Sequence, residues 1–326
     1  MRLRRQLLQH LSDGEYHSGE ALGQALGVSR MAVWKHIKAL RESGVELQTL
    51  HGRGYRLPAA VEFLDHELIR SAAAPATRAG LESIEVLLDI DSTNNYLRGK
   101  ALQGAPAGSV CLAERQHGGR GRRGRHWVSP FAANLYLSLL WRISAGAMAL
   151  GGLSLVTGIA VLRSLRCFGI AAAGLKWPND IVVNNAKLAG ILIDIVGEST
   201  GPCAVVIGIG VNVCMPRTAA AGIDQPWTDL GSVAGCKDVS RNRLAACLLD
   251  NLLPLLEQFE SRGLQPFMGE WQRYDIVQGR PVDLQLPNET VSGMACGIDA
   301  GGALLVETAT GRRRFTSGEV SVRIAS

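Results

Sequence analysis

The residues best suited to chemistry lie in one stretch, positions 114–127, where four of the five arginines alternate with glycines. Glycine lets a backbone approach a ligand closely, and arginine presents a rigid fork of donors that matches phosphate or carboxylate. Apolar runs at 108–113 and 134–140 flank the stretch and are typical of strands. The pattern predicts a loop that is flexible until an anion orders it. A solvated basic loop or an arginine-glycine tract for nucleic acid has the same composition, so other residues must decide.

A second polar cluster, Ser92, Thr93 and Asn94, follows an alternating run at 83–90 that predicts a strand. Ser92 and Thr93 can cap a helix over 94–102, which leaves hydroxyl and amide groups at the helix N-terminus. Such a cluster can anchor a polar ligand. It can equally be only a helix cap.

Three further motifs carry polar residues in or beside predicted strands. The stretch 176–180 has a proline turn before Asp180, the run 187–192 begins with Lys187, and the run 208–212 ends with Asn212. Taken alone, Lys187 is more typical of an exposed turn than of a site, because lysine is seldom buried. The glycines at 208 and 210 allow close backbone packing or ligand approach.

The first 58 residues predict a separate basic module. They hold nine Lys or Arg residues against five Asp or Glu, which is typical of a module that meets a polyanion. Helical spacing predicts helices over 3–12, 18–26 and 30–42, with Ser18 and Ser29 as caps, before a Gly-rich hairpin. This pattern resembles the winged helix-turn-helix of bacterial repressors; a small helical protein-interaction module is the alternative. The candidate DNA contacts are Ser29, Arg30, Lys35, His36 and Lys38 on the third helix and Arg53 at the hairpin tip.

The remaining elements place these motifs in an α+β protein. We expect a linker and short helix at 61–70, a loop at 72–80, a buried helix at 151–168 and an amphipathic helix at 241–262. Short strands from Asp275 onward predict a small β-barrel. The 326 residues, 47% of them hydrophobic and 19% charged, are enough for two or three ordered domains.

Composition excludes several protein classes. The seven cysteines are scattered without a CxxC pair, which favours reduced, mostly buried thiols over a disulfide framework or a structural zinc site. Cys111 is interpreted as a core thiol and not as a nucleophile. No apolar run is long enough to cross a bilayer, and no apolar signal region follows the basic N-terminus, so we expect a cytoplasmic protein without a membrane partner.

The motifs at 92–94, 119–127, 176–180, 187–192 and 208–212 occur in the order and spacing of the biotin protein ligases. With the helix-turn-helix in front, essentially the whole chain resembles the bifunctional members of that family, which also repress biotin synthesis genes. The resemblance implies a winged helix-turn-helix over 1–60 and a central mixed-sheet α/β ligase domain over 61–274. That central domain would be of the biotin/lipoate ligase type, similar to class II synthetases. A small SH3-like β-barrel would follow over 275–326.

The same resemblance implies a two-step reaction. The carboxylate of biotin attacks the α-phosphate of ATP, with Mg²⁺, and gives biotinyl-5′-AMP and pyrophosphate. A lysine of the biotin carboxyl carrier protein of acetyl-CoA carboxylase then attacks the acyl carbon, and AMP leaves. Biotinyl-5′-AMP would also be the corepressor that lets a homodimer bind operator DNA. Because an anion attacks a polyanion in the first step, the site must gather positive charge, whereas no Ser or Cys nucleophile is required.

The resemblance also implies roles for individual residues. Arg122 and Lys187 are the expected catalytic groups. Biotin binding is expected from Ser92, Thr93, Asn94, Gln116, Arg120, Gly121, Arg122 and Lys187. Nucleotide binding is expected from Arg120, Arg122, Arg125, Trp127, Asn179, Asn212 and Trp227. Asp180 is expected to bind Mg²⁺, to orient Lys187 or only to cap the turn after Pro178, and Trp227 suits a core position as well as it suits adenine.

Two other functions stay open. One is a ligand-sensing repressor that has lost catalysis, which the retention of Arg122 and Lys187 argues against. The other is a lipoate ligase of related fold, against which the full set of motifs, and the arginine-glycine loop above all, favours biotin. The approach to that loop departs from the family pattern, because Arg115 precedes Gln116 and His117 follows it. The segment before the loop is therefore more basic than in the family pattern, and we expect this difference to alter the kinetics of the loop.

Overall fold

Three helices and a hairpin open the chain in a computed structural model that describes residues 2–144, 146, 150–197, 201–233, 239–316 and 320–324. Helices α1 (Arg2–His10), α2 (Gly19–Leu26) and α3 (Arg30–Glu42) precede the antiparallel strands β1 (Gln48–Leu50) and β2 (Gly54–Arg56). The Ser18 and Ser29 hydroxyls accept hydrogen bonds from backbone N–H groups three residues later, at 3.0 and 3.2 Å. Apolar residues of the three helices and the hairpin form a core of their own. The predicted winged helix-turn-helix is confirmed.

A mixed seven-stranded sheet forms the centre of the molecule, in the order β3-β4-β5-β9-β8-β7-β6. Its strands are β3 (Ser83–Leu87), β4 (Ser109–Ala113), β5 (Leu135–Ile143), β6 (Gly174–Lys176), β7 (Asp180–Val183), β8 (Ala186–Val196) and β9 (Cys203–Val211). Strands β3 and β4 are parallel, and the other neighbours pair antiparallel. The strands predicted on both sides of the arginine-glycine loop, and those around Lys187 and the 208–212 motif, are confirmed.

Helices cover both faces of this sheet. They are α4 (His66–Ala72), α6 (Thr93–Leu102), α7 (Leu153–Cys167), α8 (Arg241–Arg262) and α9 (Met268–Tyr274). Helix α6 contacts β4, β5, β8 and β9, whereas α7 contacts β6, β7, β8 and α8. Helix α7 is buried along most of its length and α8 has the predicted bounds. Cys111 on β4 is buried, and burial raises the pKa of its thiol, so the interpretation as a core residue is confirmed.

A small antiparallel sheet ends the chain, in the order β13-β12-β11-β10-β14. Its strands are β10 (Pro281–Gln285), β11 (Thr290–Ile298), β12 (Leu304–Thr308), β13 (Gly311–Phe315) and β14 (Ser321–Ile324). The Trp177 indole donates to Gly302 O at 3.0 Å and joins this sheet to the central domain. The predicted C-terminal β domain is confirmed, and its closure into an SH3-like barrel stays a prediction.

Two expectations were wrong. The alanine-rich segment predicted as a loop at 72–80 contains the end of α4 and a further helix, α5 (Pro75–Gly80). Pro75 takes the first turn of α5, where its fixed φ suits a helix and its missing N–H costs nothing. The low complexity of this segment suggested a loop, although alanine has the highest helix propensity of any residue. The second concerns the cysteines, which were expected to be mostly buried. Of the six that the structure describes, all are free thiols but only Cys111 and Cys203 are buried. Cys236 lies outside the described residues.

Candidate active site and nucleic-acid interface

The floor of the candidate site consists of glycines on two paired strands. Gly190 of β8 lies opposite Gly210 of β9, and Gly208 lies two residues before it. A Cβ atom at Gly208 would lie 2.1 Å from Asn94 Oδ1, and one at Gly210 would lie 2.5 Å from the Trp127 indole. Only glycine therefore lets these two side chains rest on the sheet, about 7 Å apart at ordinary strand spacing. The close approach predicted at the glycines of the 208–212 motif is therefore made by the side chains of Asn94 and Trp127.

A buried network joins the residues predicted to hold biotin. Gln116 Oε1 accepts from the Thr93 backbone N–H at 2.9 Å and lies 3.1 Å from the Thr93 hydroxyl. Gln116 Nε2 donates to Ser129 Oγ at 3.1 Å. Ser138 Oγ lies 2.7 Å from Thr93 Oγ1 and 2.6 Å from Asn94 Oδ1. Because Thr93, Asn94, Gln116 and Ser138 are all buried, the network presents fixed polar atoms at the head of α6.

Ser92 stands at the N-cap of α6, as predicted, but its side chain makes no capping hydrogen bond to the helix. The residue as a whole is buried, at 2% exposure. Ser92 is therefore placed for another polar partner beside Thr93.

Lys187 carries the charge at the other end of the floor. Its Nζ lies 2.7 Å from Asp180 Oδ1, and the two side chains are only 16% and 20% exposed. The same ammonium lies 5.3 Å from the centre of the Trp127 ring. Lys187 is therefore not an exposed turn residue. Of the three roles open for Asp180, the structure shows the contact that orients Lys187.

The arginine-glycine loop lies between this floor and the C-terminal domain. The Arg120 guanidinium forms an ion pair with Asp194 of β8. Arg122 donates to Asn179 Oδ1 at 3.1 Å and to Val320 O at 3.5 Å. Arg125 donates to Ser321 Oγ at 3.1 Å. The arginines of this loop therefore contact both the central domain and the C-terminal domain. Burial lowers the pKa of the Arg122 guanidinium.

Several polar atoms at the site have no hydrogen-bond partner within the described part of the chain. They are Trp127 Nε1, Arg120 Nε and Asn212 Oδ1, all buried. Asn212 uses its amide nitrogen to hold Thr228 O at 3.0 Å, which fixes the segment that carries Trp227. The Trp227 side chain is half-buried, and the backbone next to it pairs with Lys187. Unpaired buried polar atoms are rare in proteins, so these atoms are suited to ligand contacts.

Sequence reasoning missed three residues of the site. Ser138 and Asp194 each interrupt an apolar strand, β5 and β8, which is the signal that would have found them. Lys176 pairs in register with Asp180. Burial lowers the pKa of Lys176, whereas the charge of Asp180 raises it.

The candidate metal residue stands alone. Within the described ranges, no three His, Cys, Asp or Glu side chains are grouped closely enough to hold a metal ion. Asp180 is already paired with Lys187. Protein side chains therefore do not form a complete cage for a cation here.

The N-terminal module presents α3 and the hairpin tip to solvent. Val33, Ile37 and Leu40 face the core, whereas most of the predicted DNA contacts are exposed: Ser29, Arg30, Lys35, Lys38 and Arg53. His36 is partly buried, and desolvation lowers the pKa of its imidazole, followed by the charges of Arg4 and Lys35. Two apolar side chains that sequence reasoning passed over, Met31 and Trp34, are 71% and 51% exposed on the same helix.

Comparisons with known proteins agree with this arrangement. Residues 3–56 match the HTH domain model, residues 87–212 match the biotin/lipoate A/B protein ligase family, and residues 278–323 match the biotin protein ligase C terminal domain. The chain is 43% identical to the bifunctional ligase/repressor BirA of Salmonella typhimurium and 42% identical to that of Escherichia coli. Each alignment covers 98% of this chain and 97% of the relative.

A solved structure is similar to three quarters of this chain. The biotin protein ligase of Aquifex aeolicus, determined in complex with biotin and ATP, superposes with a TM-score of 0.64 at 28% identity. The match covers 75% of this chain and all of that one. Among the helices that the structure describes, none has the length and apolarity to cross a membrane.

Proposed function

The chain belongs to the family of bifunctional biotin protein ligases that carry a helix-turn-helix repressor domain, and from this premise we propose how its site works. One observation carries the proposal: the Lys187–Asp180 ion pair lies beside Trp127 at one end of the glycine floor. The neutral hydroxyl and amide network lies at the other end. A ligand with a neutral polar head, an apolar middle and a carboxylate tail fits this division, and biotin has that form.

In the first step, the network at Ser92, Thr93, Asn94 and Gln116 holds the ureido ring, while Lys187 approaches the carboxylate. The reacting atoms are then a carboxylate and the α-phosphate of ATP, both negatively charged. Lys187 and the guanidinium of Arg122 stabilise the charge that develops on the phosphate oxygens. Asp180 holds the Lys187 ammonium in place, so that little reorganisation is needed during the reaction.

Nucleotide contacts complete the adenylate site. We assign the phosphates to Arg120, Arg122 and Arg125, because guanidinium groups bind phosphate through paired hydrogen bonds. The Trp127 and Trp227 rings and the amides of Asn179 and Asn212 are assigned to the rest of the nucleotide, since the indoles offer flat apolar area. The unpaired Trp127 Nε1 and Asn212 Oδ1 support this assignment. The acceptor is a lysine amine of the biotin carboxyl carrier protein, which attacks the acyl carbon of the bound adenylate and releases AMP.

A magnesium ion fits the site only in part. Magnesium is usually held by one or two carboxylates, several waters and the substrate phosphates. Asp180 can supply one carboxylate oxygen, and the absence of a fuller cluster in the described ranges means that phosphate oxygens would supply most of the rest. When bound, the ion would neutralise charge on the phosphates.

The second function is biotin-responsive repression by the N-terminal module over residues 1–60. Its support is the exposed basic face of α3 together with the basic hairpin tip. We propose that biotinyl-5′-AMP orders the loop, that two chains then form a homodimer, and that the dimer places two helices α3 on a palindromic operator of biotin synthesis genes.

Pyrophosphate release tests the ligase function against its alternatives. With ATP and Mg²⁺, the protein should release pyrophosphate when biotin is present and none above background when lipoate replaces it. Release with lipoate but not with biotin would assign the chain to lipoate ligation. No release with either would favour a ligand-sensing repressor without catalysis.

A further inference from the structure

Asp194 contacts two parts of the site, the head of α6 and the arginine-glycine loop. Its Oδ2 atom accepts from Asn94 Nδ2 at 3.0 Å, and the same oxygen forms the ion pair with Arg120 of the loop. Asp194 lies on β8, and its side chain is 19% exposed. One carboxylate oxygen is thus shared between the head of α6 and the arginine-glycine loop.

The orientation of the Asn94 amide follows from these contacts. Asn94 Nδ2 donates to Leu192 O at 3.3 Å and to the Asp194 carboxylate, and both of these partners can only accept. Both amide hydrogens are therefore used on this side. Asn94 Oδ1 must then face Ser138 Oγ, 2.6 Å away, as an acceptor.

The direction of the next hydrogen bonds is then determined. A serine or threonine hydroxyl has one hydrogen to donate. Thr93 donates its one hydrogen to Gln116 Oε1 at 3.1 Å, so toward Ser138 the Thr93 oxygen can only accept. The single hydrogen of Ser138 lies between Asn94 Oδ1 at 2.6 Å and Thr93 Oγ1 at 2.7 Å, and an Asn94 oxygen held toward Ser138 draws that hydrogen away from Thr93. Thr93 Oγ1 therefore keeps free lone pairs.

We propose that Asp194 is a positioning residue for the ureido group of biotin. Through Asn94 and Ser138 it sets the direction of the hydrogen-bond chain, so that the Thr93 hydroxyl oxygen accepts from a ligand N–H. The proposal rests on the proposed function, because it takes biotin as the ligand. It adds two residues, Asp194 and Ser138, that need not touch the ligand and act through Asn94 and Thr93.

A double-mutant cycle on biotin binding tests the proposal. We expect Asp194→Asn to raise the Kd for biotin, measured by titration calorimetry on the full chain, about tenfold, because the Asn94 amide is then free to turn over. Ser138→Ala removes the next member of the chain at a fully buried position and should also raise the Kd about tenfold. Since both changes break the same chain, the double variant should bind biotin about as weakly as either single one.

Three results would overturn the proposal. They are a Kd within twofold of wild type for either single variant, effects that multiply in the double variant, and a wild-type protein that binds no biotin. The last result would also remove the proposed function, whereas the first two would leave it standing. If Asp194→Asn fails to fold, as judged by thermal melting, the result for Ser138→Ala decides. Glu307→Gln is the control, since it removes a carboxylate from an exposed pair with Arg312 in the C-terminal sheet.

Discussion

At the scale of single residues, the site depends on charges that are held in place before any ligand arrives. Lys187 is fixed by Asp180, and Arg120 is fixed by Asp194. Ion pairs on a protein surface contribute little to stability. These groups, however, are mostly removed from water, and charges interact more strongly in an environment of lower dielectric constant. The chain therefore has a preorganised cationic end beside a neutral polar end.

The Lys187 ammonium is expected to contribute most to adenylation. Lys187→Ala should lower the rate of biotin-dependent pyrophosphate release by about 10²- to 10³-fold, the usual effect of removing one preorganised donor to a developing negative charge. Lys100→Ala is the matched control, because Lys100 pairs with Glu85 at the surface, and it should stay within twofold of wild type. Equal rates for the two variants would exclude the assigned role.

The Arg122 guanidinium is expected to retain the adenylate as well as to help form it. Arg122→Ala should release free biotinyl-5′-AMP about tenfold faster than wild type, measured by chromatography of the filtrate after one turnover, because a charge-assisted contact to phosphate is lost. Arg313→Ala removes the same charge from an exposed position on β13 and should release no more than wild type. Retention of the intermediate by the Arg122 variant would contradict this assignment.

At the scale of elements, sequence periodicity predicts the strands and the long helices well because each has one dominant pattern. The run 241–262 is confirmed residue for residue as α8. The same reasoning failed at α5, which is too short and too uniform to show a period, and it passed over Asp194 and Ser138. Those two residues matter through partners on other elements, Asn94 and Thr93 of α6, and no spacing within one strand predicts such a contact.

The exposed face of α3 yields a prediction that its charges alone would not give. Trp34 is 51% exposed beside Lys35 on the candidate recognition helix, and apolar side chains in a major groove contact thymine methyl groups. Trp34→Ala should weaken operator binding about tenfold without changing the slope of affinity against salt concentration. Lys35→Ala, the comparison, should reduce that slope by about one because a phosphate contact is lost. A salt slope that changes in the tryptophan variant, or an unchanged affinity, would contradict the contact.

At the scale of the whole molecule, the DNA module is tied to the ligase domain by more than a linker. Arg5 donates to Leu64 O at 3.1 Å, and Leu64 N donates to the buried Glu114 at 2.6 Å. Glu114 in turn forms a buried ion pair with Arg241 at 2.8 Å. Glu114 lies two residues before Gln116, so the segment that joins the domains is held to the strand that leads into the buried network of Thr93 and Gln116.

Coupling between ligand and DNA is the expected consequence of this connection. Gel shift with an operator fragment should show tight binding only when biotin and ATP are both present, because the adenylate would order the arginine-glycine loop and favour the dimer. Sedimentation under the same conditions should show the change from one chain to two. Equally tight operator binding with and without biotin and ATP would exclude the coupling but would not affect the proposed ligase function.

Transfer of biotin to a carrier protein tests the ligase function most directly. The full chain is incubated with biotin, ATP, Mg²⁺ and the acceptor domain of a biotin carboxyl carrier protein, and the product is detected by streptavidin blot. We expect a biotinylated acceptor, in an amount that depends on ATP, on the acceptor lysine and on Lys187 of the enzyme. An acceptor that stays unmodified with the wild-type chain, under conditions in which biotin is bound, would contradict it.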